Sequence, residues 1–239
     1  MSRSTHTNPR PRAAEPGAER KALLAGATGL IGRELLPLLL RGSTYAKVHV
    51  LLRRAAPELR RDRRMATLLV DFAALPTLPA VDDVYIALGT TIKVAGSQAA
   101  FRAVDFEAVV HTARAAREAG ATRLAIVSAL GADANSGVFY NRVKGEMQAA
   151  VAQLGYASVL FAQPSLLMGD REALGQASRP GEVWATRLLR PVMTFVPASV
   201  RPIEARTVAR ALLQATLEAR PGVHVLSSAQ LQRLGSDVH

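Results

Sequence analysis

The chain has 239 residues, the size of one large α/β domain or of one domain with a small added lobe. Hydrophobic residues make up 49% of it and charged residues 21%, a globular composition that excludes a disordered chain. Cysteine is absent, which excludes a disulfide framework, a thiolate metal site, an iron–sulfur cluster and a cysteine nucleophile.

The formal net charge is +11, and two interpretations of it stay open. Arginine supplies 26 of the 30 basic residues and lysine only four, a bias typical of a GC-rich genome. An anionic partner, such as a phosphate-bearing cofactor, nucleic acid or a membrane surface, would explain the same charge. The five histidines are scattered without metal-ligand spacing, so we expect no metal site.

The first 20 residues are polar, include three prolines and contain no apolar segment of the secretory kind. We expect them to form a flexible leader, followed by a single domain over residues 21–239. The longest apolar stretch, residues 22–40, is interrupted by charged residues and a proline, so it fails as a membrane span. We therefore expect no membrane segment, and the cysteine-free composition suits a cytoplasmic protein.

Short apolar runs alternate with helical patterns from residue 21 onward. The runs are continuous rather than alternating, which indicates parallel strands buried on both faces. The predicted strands cover residues 21–25, 46–52, 66–70, 82–88, 123–128, 157–161 and 223–226. The predicted helices cover residues 32–40, 97–119, 140–154 and 203–218. This order predicts an α/β fold with a doubly wound parallel sheet, the Rossmann fold, and a small C-terminal substrate lobe over residues 163–202.

A glycine-rich turn follows the first predicted strand and opens the first predicted helix. Gly26, Gly29 and Gly32 fall in the pattern G-x-x-G-x-x-G. In a dinucleotide-binding fold the first glycine allows a tight turn, the second lets the backbone approach a pyrophosphate, and the third lets helix and strand pack closely. The helix N-terminus then offers N–H groups and partial positive charge to the phosphates. The pattern therefore predicts a dinucleotide site.

The end of the second predicted strand carries Arg53 and Arg54. A site that prefers NAD places an acidic residue there, about 20 residues after the glycine motif, to hold the ribose 2′-hydroxyl. A guanidinium instead binds a 2′-phosphate through paired hydrogen bonds. We therefore predict NADP(H) over NAD(H), with Asp71 after the third strand placed to accept a hydrogen bond from the adenine amine.

The two arginines also begin a basic loop, residues 53–64, which contains six arginines in all. They can therefore be read as ordinary residues of a solvated loop. A nucleic-acid partner for this loop is disfavoured, because the loop has no aromatic side chain on which a base could stack.

Tyr140 and Lys144 form a Y-x-x-x-K pattern within a predicted helix, so both side chains share one face. Ser128 ends the fifth predicted strand, on the ligand side of a doubly wound sheet. A lysine ammonium nearby lowers the pKa of a tyrosine phenol, ordinarily about 10, toward the range of acid–base catalysis. Ser128 would hold the substrate oxygen while Tyr140 exchanges its proton and hydride moves between cofactor and carbon. The alternative is that Tyr140 is an ordinary residue of an amphipathic surface helix, and that the Y-x-x-x-K pattern arises by chance.

These motifs, with others along the chain, resemble a known family. The chain looks like an atypical member of the short-chain dehydrogenase/reductase superfamily and is similar to the NAD(P)-binding oxidoreductases related to the Tat-interactive protein. The resemblance spans about residues 21–235. It rests on LLAGATGLIG (23–32), YIALGTT (85–91), AGSQAAFRAVD (95–105), SALGA (128–132), YNRVKGE (140–146), QPSLLMG (163–169) and RPIEARTVA (201–209).

The resemblance implies a set of cofactor contacts and a catalytic set. NADP(H) would be bound by the glycine loop, at Gly26, Thr28, Gly29, Leu30, Ile31 and Gly32, with Arg53 near the 2′-phosphate. Leu88, Gly89 and Thr90 would lie beside the ribose and nicotinamide, and Pro164, Ser165 and Leu166 would close over the nicotinamide. Ser128, Tyr140 and Lys144 would be the catalytic residues, the last two also contacting the cofactor.

Two positions depart from the family pattern. Gln163 stands where relatives usually carry arginine, and the segment around Val104 and Asp105 lacks the asparagine that is the fourth catalytic residue of many members.

From the motifs as a whole we predict an NADP-dependent oxidoreductase acting on a small carbonyl or alcohol substrate. The alternative, which the missing asparagine favours, is a regulatory or protein-interaction module with little turnover. A homodimer is left open, since many relatives pair through helices equivalent to residues 97–119 and 140–154.

Overall fold

The computed structural model describes residues 20–168 and 201–236 of the chain. Seven strands form the main sheet: β1 (Arg20–Ala25), β2 (Tyr45–Leu52), β3 (Met65–Leu69), β4 (Asp83–Ile86), β5 (Arg123–Val127), β6 (Ser158–Gln163) and β9 (Gly222–Ser227). All neighbours pair in parallel, in the order β3-β2-β1-β4-β5-β6-β9. The predicted doubly wound sheet is confirmed. The strand order reverses between β1 and β4, which makes a crevice at their carboxyl ends.

Helices cover both faces of this sheet. They are α1 (Leu30–Arg41), α2 (Ile92–Ala95), α3 (Gln98–Arg102), α4 (Val109–Glu118), α5 (Phe139–Ala152), α6 (Ala205–Glu218) and α7 (Ser228–Gly235). None of these helices, in the part of the chain that the structure describes, is long and apolar enough to span a membrane.

The hydrophobic core is two clusters, one on each face of the sheet. Alternate residues of β1 enter different clusters: Leu24 packs with Leu35 of α1, and Leu23 packs on the face that holds Val109 of α4. Because side chains alternate across a strand, a strand covered on both faces must be apolar at every position. The continuous apolar run that predicted β1 has this physical origin.

The predicted helix over residues 97–119 is not one regular helix. It begins after Ser97, whose side chain accepts a hydrogen bond from the N–H of Ala100, but it widens into a π-helical segment at Ala103–Ala108 before α4 continues. Such a segment takes an extra residue per turn and is common at functional sites. Hydrophobic spacing carries no clear sign of it, so the prediction missed it.

Three further features differ from the predicted elements. Arg20, assigned above to the leader, is the first residue of β1, because its backbone pairs with Tyr45 of β2; its guanidinium also pairs with the buried Asp83 carboxylate. The short strands β7 (Leu167–Met168) and β8 (Ile203–Glu204) pair in parallel outside the main sheet. The unpredicted α7 begins with a capping box between Ser227 and Gln230, a local signal that the prediction overlooked.

Most of the predicted substrate lobe, residues 169–200, lies outside the described residues.

Candidate active site

The glycine loop is shaped by close backbone approach. Gly26 has φ of +93°, and a Cβ built there would lie 2.4 Å from the carbonyl oxygen of Ala87, just beyond β4. A Cβ at Gly32 would lie 2.0 Å from the carbonyl oxygen of Gly26. Only glycine fits at these two positions, because one needs a left-handed turn and both leave no room for a side chain. The chain therefore turns tightly over the end of β4 and enters α1.

The N-terminus of α1 faces this turn without a side-chain cap. Its N-cap residue is Gly29, which offers no side-chain acceptor to the first N–H groups of the helix. Those groups, on Leu30, Ile31 and Gly32, have no partner within the helix and suit the oxygens of a pyrophosphate. Arg33 holds the loop in place by donating from Nε to the carbonyl of Thr28 at 3.0 Å. The loop thus fits the phosphates of a dinucleotide.

The end of β2 carries the two arginines of the predicted 2′-phosphate site. Ala25, just before the glycine loop, pairs with Leu51, so Arg53 and Arg54 lie at the same edge of the sheet as the loop. Both side chains are exposed. Asp71 is also exposed, and one of its carboxylate oxygens accepts the N–H of Ala73 at 2.9 Å.

The rest of the basic loop also faces solvent. Arg60, Arg61 and Arg63 are exposed, whereas Arg64 is half-buried and donates to the carbonyl of Gly42 at 2.7 Å. The other five arginines after β2 therefore differ from Arg64, because their side chains are exposed and open to an anion.

Ser128 is joined to the helix that carries the Y-x-x-x-K pattern. Ser128 directly follows β5 and is buried, and its Oγ accepts a hydrogen bond from Gln148 Nε2 at 2.6 Å. Gln148 lies four residues after Lys144 and eight after Tyr140 on α5, so the three share one face. Gln163, at the end of β6, donates to Gln148 Oε1 at 3.4 Å. The predictions included Gln163 only as a departure from the family pattern and did not include Gln148, although its spacing from Lys144 marks the same face.

Lys144 forms a buried ion pair with Asp105. Its Nζ lies 2.7 Å from Asp105 Oδ1, and the two side chains are 4% and 1% exposed. The other carboxylate oxygen of Asp105 accepts the N–H of Thr90 at 2.9 Å. Gly89 lies against the pair, since a Cβ there would be 3.3 Å from Asp105 Oδ1 and 3.8 Å from Lys144 Nζ. The π-helical segment thus brings an acid to the lysine and ties both to the residues after β4, which include half-buried Leu88.

Tyr140 is half-buried against Phe101, with ring centroids 5.3 Å apart. Burial raises the pKa of the Tyr140 phenol above its usual value; the Lys144 ammonium opposes this rise, and the Asp105 carboxylate adds to it. The phenol is therefore protonated at neutral pH in the cofactor-free chain.

The Pro164–Leu166 stretch follows β6 on the same side of the sheet. Ser165 donates from Oγ to the carbonyl of Arg201 and accepts from Ser228 Oγ at 2.9 Å. The carbonyl of Leu166 accepts from the N–H of Ile203 at 3.0 Å, and the Leu166 side chain is 47% exposed. The carbonyl of buried Pro164 accepts from the N–H of Leu130 at 3.1 Å. These bonds anchor the stretch beside the loop that follows Ser128.

Comparison with known proteins identifies relatives along most of the chain. Residues 26–164 match the family model described as NAD(P)H-binding. Protein fmp52, mitochondrial, of Emericella nidulans is 30% identical over 227 residues, which cover 90% of this chain and 95% of the relative. Protein HTATIP2 of Rattus norvegicus is 30% identical over 224 residues, which cover 91% of this chain and 90% of the relative.

Solved structures share the fold. ADP-L-glycero-D-manno-heptose-6-epimerase of Helicobacter pylori superposes with a TM-score of 0.64 at 15% identity, covering 87% of this chain and 77% of that one. MoeE5 in complex with UDP-glucose and NAD also gives 0.64, at 17% identity, covering 86% of this chain and 75% of that one. At these identities the likeness concerns the fold alone.

The names of the relatives correct one expectation and establish the family. The fmp52 proteins of Emericella nidulans, Aspergillus niger and Aspergillus fumigatus are named mitochondrial, which contradicts the expected cytoplasmic location. That expectation was wrong because a chain without cysteine suits any compartment, reducing or not. The family model covers more than half of the chain, and relatives match along most of it. The chain therefore belongs to the NAD(P)H-binding family, whose model matches residues 26–164.

Proposed function

We propose that this chain is an NADP(H)-dependent oxidoreductase that moves hydride between the nicotinamide and a carbonyl or alcohol carbon, with Tyr140 as acid and base. One observation carries the proposal: a single face of α5 reaches both Ser128, through Gln148, and the residues after β4, through Lys144. This places a hydroxyl, a phenol and an ammonium at the carboxyl edge of the sheet, where doubly wound folds bind their ligands.

Each side chain has a separate task in the proposed reaction. The bound nicotinamide supplies or accepts the hydride. The hydroxyl of Ser128 accepts from Gln148, so its own proton is available to donate to the substrate oxygen. Tyr140, kept protonated by burial, gives its proton to the carbonyl oxygen in reduction and takes it back from the alcohol in oxidation. The Lys144 ammonium stabilises the phenolate that reduction leaves behind.

The exposed Arg53 and Arg54 support the preference for NADP(H). Both follow β2 at the edge that carries the glycine loop, and no carboxylate stands at that strand end to hold a 2′-hydroxyl. A paired guanidinium–phosphate contact contributes about 1.5–3 kcal/mol, or roughly 10- to 100-fold in affinity.

The cofactor preference is tested by titrating the purified chain with NADPH and with NADH. Arg53→Asp should weaken NADPH binding by about 10-fold or more while NADH binding stays unchanged or improves. Arg60→Asp is the matched control: it makes the same charge change in the same loop, at another exposed arginine. Equal affinity of the wild type for both nucleotides would contradict the preference, and binding of neither would refute the oxidoreductase proposal.

The catalytic role is tested by Tyr140→Phe, assayed by loss of NADPH absorbance with a panel of aldehydes and ketones. The variant should bind NADPH as the wild type does but lose turnover, because it has no proton to exchange. Tyr156→Phe is the control, since the Tyr156 hydroxyl donates to the Ala113 carbonyl in the core. Turnover that survives in Tyr140→Phe would refute the mechanism.

A second candidate function is a nucleotide-binding regulatory module with little turnover. The observation that favours it is Asp105, whose carboxylate pairs with the lysine that the mechanism needs. A chain that binds NADPH but shows no Tyr140-dependent turnover on the panel would support this candidate.

A further inference from the structure

The ion pair between Lys144 and Asp105 is the most deeply buried charge pair in the described part of the candidate site. Two charges removed from water are tolerated only when each is well paired, since the desolvation of an unpaired one costs several kcal/mol. Asp105 meets this condition by contacting Lys144 with one carboxylate oxygen and the N–H of Thr90 with the other. The carboxylate therefore fixes where the ammonium lies relative to the loop after β4.

The pair also affects the balance between the phenol and phenolate forms of Tyr140. Tyr140 lies one helical turn before Lys144 on α5, and the π-helical segment that carries Asp105 packs against this helix. The ammonium favours the phenolate and the nearby carboxylate disfavours it, so the two charges oppose each other at the phenol.

Other charged groups around α5 are engaged elsewhere. Arg102 of α3 pairs with Glu146 of α5, and His111 of α4 contacts the carbonyl of Phe72 through Nδ1. Asp133, in the loop packed on α5, accepts from the N–H of Asn135, and Arg142 donates to the carbonyl of Ser136. Among the described residues, Asp105 and Lys144 are therefore the charges that act on Tyr140.

We propose that Asp105 is a positioning residue that holds the Lys144 ammonium and offsets its charge at Tyr140, which adds to the effect of burial on the acid for carbonyl reduction. The proposal rests on the function proposed above, which assigns Tyr140 the acid role. In that reaction hydride passes from the reduced nicotinamide to the carbonyl carbon, and the phenol proton passes to the oxygen. The products are the alcohol, the oxidised cofactor and a phenolate that takes its next proton from solvent.

The direct test is the titration of Tyr140 itself, followed by the Cζ signal of ¹³C-tyrosine in NMR spectra without substrate or cofactor. The chain has four tyrosines, and Tyr140→Phe assigns the signal. Burial raises the pKa of each of the other three tyrosines well above its usual value. Their signals should therefore not titrate together with the Tyr140 signal.

Asp105→Asn removes the charge and keeps an oxygen for the N–H of Thr90. The Tyr140 midpoint should then fall by about one pH unit, because the carboxylate that disfavours the phenolate is lost while the ammonium that favours it remains. Glu107→Gln is the matched control, because it removes the same charge from an exposed position of the same segment and should leave the midpoint in place. A Tyr140 signal that moves no earlier in Asp105→Asn than in the wild type would overturn the proposal.

A second variant covers the case in which Asp105→Asn does not fold. Asp105→Asn combined with Lys144→Met leaves neither charge buried alone. If the charges offset each other, the Tyr140 midpoint stays within about half a pH unit of the wild type; a rise of a unit or more means that the ammonium acts undiminished and refutes the proposal. Because these titrations need no cofactor, their failure is separate from failure of NADPH binding or turnover, which tests the proposed function.

Discussion

Replacing Gly32 by alanine should destabilise the chain without any change of charge or polarity. The added Cβ would lie 2.0 Å from the carbonyl oxygen of Gly26 and 2.8 Å from the Cα of Ala27, whereas ordinary contact begins at 3.4 Å. The obstructing atoms are backbone, so the clash is relieved only if α1 moves away from the turn. Overpacking of this kind costs about 1–3 kcal/mol, and we expect the upper end, about 3 kcal/mol.

For a chain of this size 1 kcal/mol corresponds to about 2–4 °C in Tm, so Gly32→Ala should melt about 6–12 °C lower in a thermal unfolding scan. Gly29→Ala is the matched control. Its φ is −80°, and a Cβ there would meet nothing closer than 3.4 Å, so its Tm should stay within about 2 °C of the wild type. NADPH affinity should nevertheless fall in Gly29→Ala, because the new methyl group would stand at the proposed phosphate site. Equal melting of Gly32→Ala and wild type would refute this account of the loop.

Three other predictions concern separate parts of the molecule. Gln148→Leu removes the donor to Ser128 Oγ and should lower kcat/KM for carbonyl reduction about 2- to 10-fold with NADPH affinity unchanged, as steady-state kinetics and nucleotide titration would show. Asp83→Ala breaks the buried contacts to Arg20 and to the Tyr45 hydroxyl, the latter 2.5 Å long, and should cost about 3 kcal/mol in urea unfolding; a loss below 1 kcal/mol would contradict it. Burial lowers the pKa of His49, so the folded chain binds fewer protons than the unfolded one and stability falls as the pH falls below about 6.5; His49→Gln should flatten that fall in denaturation curves recorded across pH.

Much of the candidate site follows from short spacings. Tyr140 and Lys144 share a face because they are four apart on one helix, and Arg53 lies at the same sheet edge as the glycine loop because parallel strands end at one edge. These relations depend only on local geometry, so the sequence predicts them. The catalytic and cofactor roles of these residues stay predictions.

Local spacing could not predict which residues of other elements those side chains contact. Gln148 contacts Ser128 across the gap between α5 and β5, and Ser228 reaches Ser165 from a helix that the prediction missed. No periodicity relates such positions, because each contact depends on how two separate elements dock. The asparagine missing from the family pattern pointed to the place of Asp105, but not to the contact that it makes.

The sequence by itself determined the order and type of most elements, because apolar periodicity, glycine stops and helix caps act over a few residues. It also indicated that the sheet is parallel and covered on both faces, since its inner strands β1, β4, β5 and β6 are nearly continuous apolar runs. Only the tertiary structure decided the electrostatics of the site. The π-helical segment turns Asp105 inward against Lys144, and burial then sets how strongly those two charges act on Tyr140. Such an interaction depends on distance and on exclusion of water, and both arise only once the chain has folded.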